Sequence, residues 1–406
     1  MSSEDKSLAS VPPGECVLFA TADWDEPYWT NKQHTAKTFV QLGWKVLYVE
    51  SVGLRGPSLS SGKDWKRIWN RLWRGLRCLA FGPYMAEKDI WIMSPLAIPG
   101  VHGHPLFGRL NTLLIRSPFR RFLVSKKWSK PLIWTYHPFM LELLGGVDCG
   151  KVVYHCVDDL GAVPMIDSAA VNAAEQKLLK QCDAVFVTNE NLLGKCQPFN
   201  SNTHFFPNVV DFEHFSKARA NGPLPADLAA IPEPRIVYMG VLSDFKVDFK
   251  LIYDVALARS DWHWVILGTE REGQKSKWIP RLQSLQNIHF LGRKAYQDLP
   301  TYLADCQVGA LPTLCNDYTR SMFPMKFYEY LAAGLPVVST PFDFTKDIKD
   351  GIKTGSSTET FVSAIYQQIK RGRLTPKESY QFVGENTWHQ RTRKILQYIK
   401  KHDNIK

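Results

Sequence analysis

Two successive series of short apolar runs, each alternating with helix-like segments, constrain this chain more than any other feature. In the first series the runs are Cys16–Ala20, Lys45–Glu50, Ile90–Met93, Leu132–Thr135, Val152–Tyr154 and Ala184–Val187. Helical patterns fall over residues 35–42 and about 168–181. A strand, a helix and a strand at this spacing form a βαβ unit with parallel strands. The pattern stops near residues 208–234, where Pro223, Pro225, Pro232 and Pro234 cluster with Gly222. That composition reads as a linker. A second series follows: Ile236–Met239, Trp264–Leu267, Ile288–Leu291, Val308–Leu311 and Pro336–Ser339, with helices over 247–258, about 297–304 and 324–333. The fold class is therefore α/β, with two Rossmann-like domains. Open parallel sheets bind ligands beyond the carboxyl ends of their strands, so two such domains facing a central cleft would place the chemistry on the loops after the strands.

Composition narrows the class. The 406 residues are 45% apolar and 22% charged, which excludes wholesale disorder. No apolar run approaches the ~18 residues of a spanning helix. The N-terminal residues are polar and acidic, without the apolar core of a cleaved secretory signal. The eight cysteines form no C-x-x-C pair and read as small hydrophobes in a reducing compartment.

The net charge of +11 is concentrated in one stretch. Residues 63–130 hold 14 Lys/Arg against 3 Asp/Glu, and the rest of the chain is balanced. Within that stretch Trp65, Ile68, Trp69, Leu72, Trp73, Leu76 and Leu79 fall on a helical arc of about 140°. Lys63, Lys66, Arg67, Arg71, Arg74 and Arg77 lie opposite. An aromatic stripe backed by basic charge describes an interfacial helix on an anionic membrane surface, with Trp65, Trp69 and Trp73 inserted and Arg67, Arg71, Arg74 and Arg77 meeting the headgroups. A helix packed on its own domain is the plainer alternative. Nucleic acid is not expected as a partner, because an aromatic stripe facing a core adds little there.

Three segments carry chemistry. The first is Ser321–Ser339, where Pro324 suits a first helical turn and Gly334 a C-cap. Lys326 and Glu329 share one face near the helix N-terminus, an end that favours anions. The lysine could hold a phosphate and the glutamate accept from two hydroxyls; an ion pair on a solvated face is the alternative. The second is Val152–Gly161, a strand running into His155, Asp158 and Asp159. A carboxylate there can take a proton from an acceptor hydroxyl, Asp158 ahead of Asp159, or can cap the next helix. The third is the loop of residues 21–34, in which Asn31, Lys32, Gln33 and His34 stand at a helix N-terminus, placed to meet a sugar or phosphate or to cap the helix.

The Ser321–Ser339 segment resembles the nucleotide-sugar-binding motif of GT-B glycosyltransferases of bacterial polysaccharide assembly, in the form P-x-K-x-x-E-Y-L-A-A-G-x-P-V-V. Phe206–Asp211, Tyr238–Leu242 with Lys246, Phe290–Arg293 and Leu299–Leu303 match the same family in order. The loop carrying Asp158 is similar to that of xanthan-type glucuronosyltransferases, whose Asp is the base. The resemblance implies donor contacts from Gly240, Arg293, Met325, Lys326 and Glu329, with Glu329 on the ribose and Lys326 on the diphosphate. It implies acceptor-side roles for Asn31, His34, His155 and Asp159. Retaining members carry a glutamate where this chain has Ser321, so an inverting reaction with Asp158 as base is expected. No metal or cofactor is expected, the nucleotide sugar, by analogy a UDP-sugar, being a co-substrate.

These readings give an acceptor-binding domain over 1–207 with a membrane segment at 63–130, a linker over 208–234, a nucleotide-sugar domain over 235–386, and a C-terminal helix over 387–406 crossing back to the first domain. The expected function is sugar transfer to a lipid-linked or polysaccharide acceptor in cell-surface glycan synthesis, at the cytoplasmic face of the inner membrane. An epimerase of the same fold and a non-catalytic binding protein are the rivals.

Overall fold

A computed structural model describes residues 12–401, apart from 27, 53–61, 98–104, 145–146, 165, 221, 271–275, 347 and 349–350. The chain divides into two units, Met1–Phe206 with Trp388–Lys406, and Pro207–Thr387.

The sheet of the first unit is built from β1 (Glu15–Phe19), β2 (Lys45–Val49), β3 (Tyr84–Glu87), β4 (Ile90–Met93), β5 (Leu132–Thr135), β6 (Val152–Cys156), β7 (Ala184–Val187) and β8 (Thr203–Phe205). Their order is β3-β4-β2-β1-β5-β6-β7-β8. All neighbours are parallel except β3 with β4. Alternation along β1 feeds both faces. Cys16 and Leu18 join a core with Phe39, Trp134 and Phe186, while Val17 and Phe19 join Ile115, Phe119 and Ile133 on the other side. The C-terminal helix Trp388–Lys401 adds Ile395, Leu396 and Ile399 to the first of these cores.

The second unit has six parallel strands: β9 (Arg235–Met239), β10 (His263–Leu267), β11 (Ile288–Phe290), β12 (Val308–Leu311), β13 (Val337–Ser339) and β14 (Ile352–Thr354), in the order β11-β10-β9-β12-β13-β14. Ile236 and Tyr238 face one core with Ile252 and Trp264; Val237 and Met239 face the other with Tyr330 and Leu331.

Three expectations need correction. The proline-rich stretch 208–234 is not a free linker. It forms the helices Phe212–Ser216 and Ala226–Ala229, and Val210, Phe215, Leu228 and Ile231 are core residues of the second unit. Proline ended the strand pattern there without ending the burial. The first helix, α1 (Asn31–Gln41), begins four residues before the apolar pattern does. Thr30 and Gln33 form a capping box, the Thr30 N–H donating to Gln33 Oε1 at 3.1 Å, so a T-x-x-Q signature set the start.

The third correction concerns α2 (Gly62–Phe81), which packs beside α3 (Pro105–Lys126). Over residues 69–81 its apolar stripe is largely outward: Trp69 is 69% exposed and Trp73 66%, with Leu72, Leu76 and Phe81 also exposed. Two of its basic residues reach carboxylates of the same unit instead. Arg71 pairs with Asp23 at 3.3 Å, and Arg74 pairs with Asp25 at 3.3 Å and with buried Glu50. Gly75 brings the helix backbone in, since a Cβ there would lie 2.9 Å from Leu96 Cα. Arg71 and Arg74 are therefore engaged by the protein's own carboxylates. Arg77 lies 5.3 Å from the centroid of the Tyr84 ring. The side chains of Trp65 and Arg67 lie outside the described residues.

Candidate functional site

In the second unit the helix Met325–Ala333 is fixed by its own tyrosine. Tyr330 is fully buried and its hydroxyl accepts from the Met239 N–H at 2.9 Å. Its ring covers Gly309, where a Cβ would meet it at 2.5 Å. These contacts hold the helix beside the carboxyl end of β9. Gly334 ends the helix in the left-handed region, at φ +88°, as a C-terminal glycine does.

At the other end Lys326 reaches the loop after β9. Its Nζ lies 3.3 Å from the Tyr238 hydroxyl and 4.6 Å from that ring's centroid. Gly240 has φ +129°, and a Cβ on it would come within 2.3 Å of Lys326 Nζ. A Cβ on Gly268, at the end of β10, would overlap Gly240 O at 1.9 Å. The two loops and the lysine thus meet where a side chain cannot intrude. This is the geometry a phosphate group needs to approach backbone and ammonium together.

Glu329 lies on the same helix and is 8% exposed. Burial pushes its carboxyl up to about 7, against the pull of Lys326. The Tyr296 phenol is held above its usual range by burial and then by the charges of Glu329 and Asp211. Tyr296 stacks on His214 at 4.3 Å, and His214 Nε2 lies 2.8 Å from Tyr296 O. Gly240, Lys326 and Glu329 therefore gather in one place, with Met325 as the first residue of the same helix. Arg293 follows β11, is exposed, and makes no side-chain hydrogen bond or ion pair among the described residues. Tyr238, Tyr296 and His214 were not foreseen. Tyr238 is an inward-alternating strand residue, and the other two carry no local motif.

In the first unit, polar residues gather beyond the carboxyl ends of β1, β5 and β6. Asn31, Lys32 and His34, in the first turn of α1, are all buried. His34 stacks on Trp388 at 4.5 Å, and Arg391 Nη2 donates to Asn31 Oδ1 at 3.0 Å. Lys32 Nζ sits 5.5 Å from the Tyr136 ring centroid and within electrostatic reach of Asp158. His155 Nδ1 lies 3.1 Å from the Tyr136 hydroxyl. Burial, then the charges of Arg391 and Lys32, holds the His155 imidazole well below its usual range, so it is neutral.

The two aspartates after β6 differ. Asp159 is bound by Lys195 at 2.8 Å, and Lys195 also meets Glu175 at 2.6 Å. The Tyr154 hydroxyl donates to the same Glu175 at 2.6 Å. Asp159 therefore belongs to a structural network, while Asp158 lies within electrostatic reach of Lys32. The first loop is anchored as well. The Trp24 N–H donates to Glu50 Oε1 at 2.9 Å and Gln33 Nε2 to Asp23 O at 2.9 Å. Tyr136, Arg391 and Trp388 were missed. Tyr136 follows a strand and was findable by the same loop rule, but the Arg391 contact spans most of the chain.

Residues 233–371 match the family model described as Glycosyl transferases group 1. The "Putative teichuronic acid biosynthesis glycosyltransferase TuaH" of Bacillus subtilis (strain 168) is 23% identical over 415 residues, covering 95% of this chain and 98% of that one. Sucrose-phosphate synthase from Thermosynechococcus elongatus superposes with a TM-score of 0.67 at 14% identity, over 97% of this chain and 100% of that one. Anabaena HepE in complex with UDP and glucose gives 0.62 at 13% identity, over 95% and 99%. The chain has the GT-B fold and carries a glycosyl transferases group 1 domain over residues 233–371.

Proposed function

We propose that the chain transfers a sugar from a UDP-sugar to a lipid-linked or polysaccharide acceptor in cell-surface glycan synthesis. The observation that carries this reading is the meeting of Lys326 with Gly240 one helical turn from buried Glu329. Lys326 and the helix N-terminus offset the diphosphate charge, and Glu329 accepts from the ribose hydroxyls. The TuaH relative and the UDP-bound HepE structure support the substrate classes.

In the reaction, Asp158 takes the proton of the acceptor hydroxyl as that oxygen bonds to the anomeric carbon. The bond from that carbon to the diphosphate oxygen breaks, UDP leaves, and the configuration inverts. Leaving-group charge would be met by Lys326 and backbone N–H groups in place of a metal. Calorimetry of UDP with Lys326→Ala tests the donor half. Loss of affinity in a folded variant is expected, and unchanged affinity refutes it.

The same reading places the enzyme peripherally on the cytoplasmic leaflet. The outward stripe of Trp69, Leu72, Trp73 and Leu76 supports it, since exposed aromatic residues of this kind suit the headgroup boundary. The attraction to anionic lipid then falls on Arg77 and the basic residues of α3 rather than on Arg71 and Arg74.

A further inference from the structure

The buried polar cluster of the first unit holds two cations in an environment that disfavours them. Lys32 is only 7% exposed. Its Nζ makes no hydrogen bond or ion pair among the described residues, and what it meets is the Tyr136 ring and the field of Asp158. Burial lowers its ammonium from the usual lysine range. Arg391 arrives from the C-terminal helix, lies over Trp388 at 4.5 Å and is bonded to the neutral Asn31 amide. Burial brings its guanidinium down to about 10. His155 is 1% exposed, and its Nε2 is buried with no hydrogen-bond partner. Buried charges are normally paired or hydrogen-bonded, because water no longer solvates them. A buried ammonium and an unsatisfied ring nitrogen beside a buried guanidinium are the lining that an anion would satisfy.

We propose that Lys32, Arg391 and His155 bind a phosphate group carried by the acceptor. Lys32 and Arg391 donate to its oxygens as cations. The Tyr136 hydroxyl donates to Thr35 Oγ1 at 2.8 Å and accepts from His155 Nδ1, so the unpartnered Nε2 accepts from a protonated phosphate oxygen. The three groups come from separate elements: α1, the end of β6 and the C-terminal helix. That distribution suits a tetrahedral oxyanion, whereas a planar carboxylate is matched by the coplanar fork of one arginine. The N-terminus of α1 adds its dipole to the same end. Asp158 lies close enough to Lys32 to feel it, so a phosphate held here would keep the acceptor beside the base. This inference rests on the acceptor reading of the first unit given above.

The test is calorimetric titration of inorganic phosphate into the full-length protein saturated with UDP, so that the second unit cannot take up the probe. Wild type should bind phosphate, and Lys32→Met should weaken it about tenfold or more, the scale of one charge-assisted hydrogen bond. Because Met replaces a buried cation that lacks a hydrogen-bonding partner, the thermal midpoint of Lys32→Met should hold or rise. Arg391→Lys, which keeps the charge and removes the fork, should lose part of the affinity. Glucuronate should not displace phosphate. The proposal is overturned if wild type binds no phosphate under UDP, if Lys32→Met binds it as well as wild type, or if glucuronate competes. A fall in the midpoint with unchanged phosphate affinity would identify Lys32 as a structural cation, which also overturns it. Failure of UDP itself to bind would refute the donor reading alone, because the difference between wild type and Lys32→Met reports on the first unit whether or not the second is filled.

Discussion

Glu329→Gln should separate two effects that a catalytic-site carboxylate usually confounds. Glu329 is buried, and its carboxyl is displaced from 4.5 up to about 7. An acid whose folded pKa is raised stabilises the fold most below its unfolded pKa, and that contribution disappears as pH rises through the folded value. The window is therefore about pH 4.5 to 7. Above it, ionised Glu329 costs the unliganded protein up to about 3 kcal/mol, from 1.36 kcal/mol per unit of displacement. The neutral amide removes that cost. For a unit of this size, roughly 2–4 °C accompany each kcal/mol, so Glu329→Gln should melt up to about 6–12 °C higher than wild type at pH 8. The difference should vanish near pH 4.5. Donor binding should move the other way. Ribose hydroxyls need the ionised acceptor, so UDP-glucose affinity in wild type should fall about tenfold per unit below pH 7. UDP-glucose is the suitable probe, because its esterified diphosphate does not titrate in that range. In Glu329→Gln the affinity should be weak and flat with pH. A melting difference that is the same at pH 5 and pH 8, or a wild-type affinity without pH dependence, would refute the reasoning.

The two aspartates after β6 should part in the same way. Asp158→Asn should keep UDP affinity and lose about 10²-fold or more in turnover, while Asp159→Asn, by freeing Lys195 from one partner, should lower the melting temperature and affect turnover less. Single-turnover assays and melts of both variants decide it. Trp69→Ser with Trp73→Ser should leave the fold intact, since both rings are outside the core, and should abolish the part of anionic-vesicle binding that survives 1 M salt. Unfolding of that double variant would show the stripe to be structural.

The interior strands of both sheets were legible because each is an apolar run bounded by turn residues. The strands that escaped are β3, β8 and β14, all at sheet edges and too mixed in polarity to show a run. The donor side was legible in part because Lys326 and Glu329 sit on one short helix, where spacing alone decides what shares a face. The first-unit cluster was legible only at Asn31, Lys32, His34 and His155, which stand on loops after strands; Tyr136 and Arg391 join them only through the parallel order of β1, β5 and β6 and the return of the last helix. The period of α2 was readable, but its direction was not. A helical wheel divides a helix into two faces without saying which one the rest of the fold will take.

Three carboxylates supplied by two other segments settle that direction for α2. The pairs made by Arg71 with Asp23 and Arg74 with Asp25 are partly exposed and contribute at most about 1 kcal/mol each, less in salt. The Arg74 bond to Glu50 is different. Glu50 is 3% exposed, and it also accepts from the Trp24 N–H and the Ser94 hydroxyl. Burial, then Asp23, raises its carboxyl, and Ser94 and Arg74 oppose that rise. Removing one partner of a buried pair typically costs about 3–5 kcal/mol, and screening scarcely reaches it. Glu50 also ties the first loop to the sheet through Trp24, and Gln33 ties that loop to α1. Arg74→Leu should therefore do more than loosen α2. It should lower the melting temperature at low and high salt alike, and it should weaken phosphate binding at Lys32, although Arg74 makes no contact with that cluster. Salt-sensitive destabilisation, or a phosphate affinity equal to wild type, would show that the helix and the pocket are held independently.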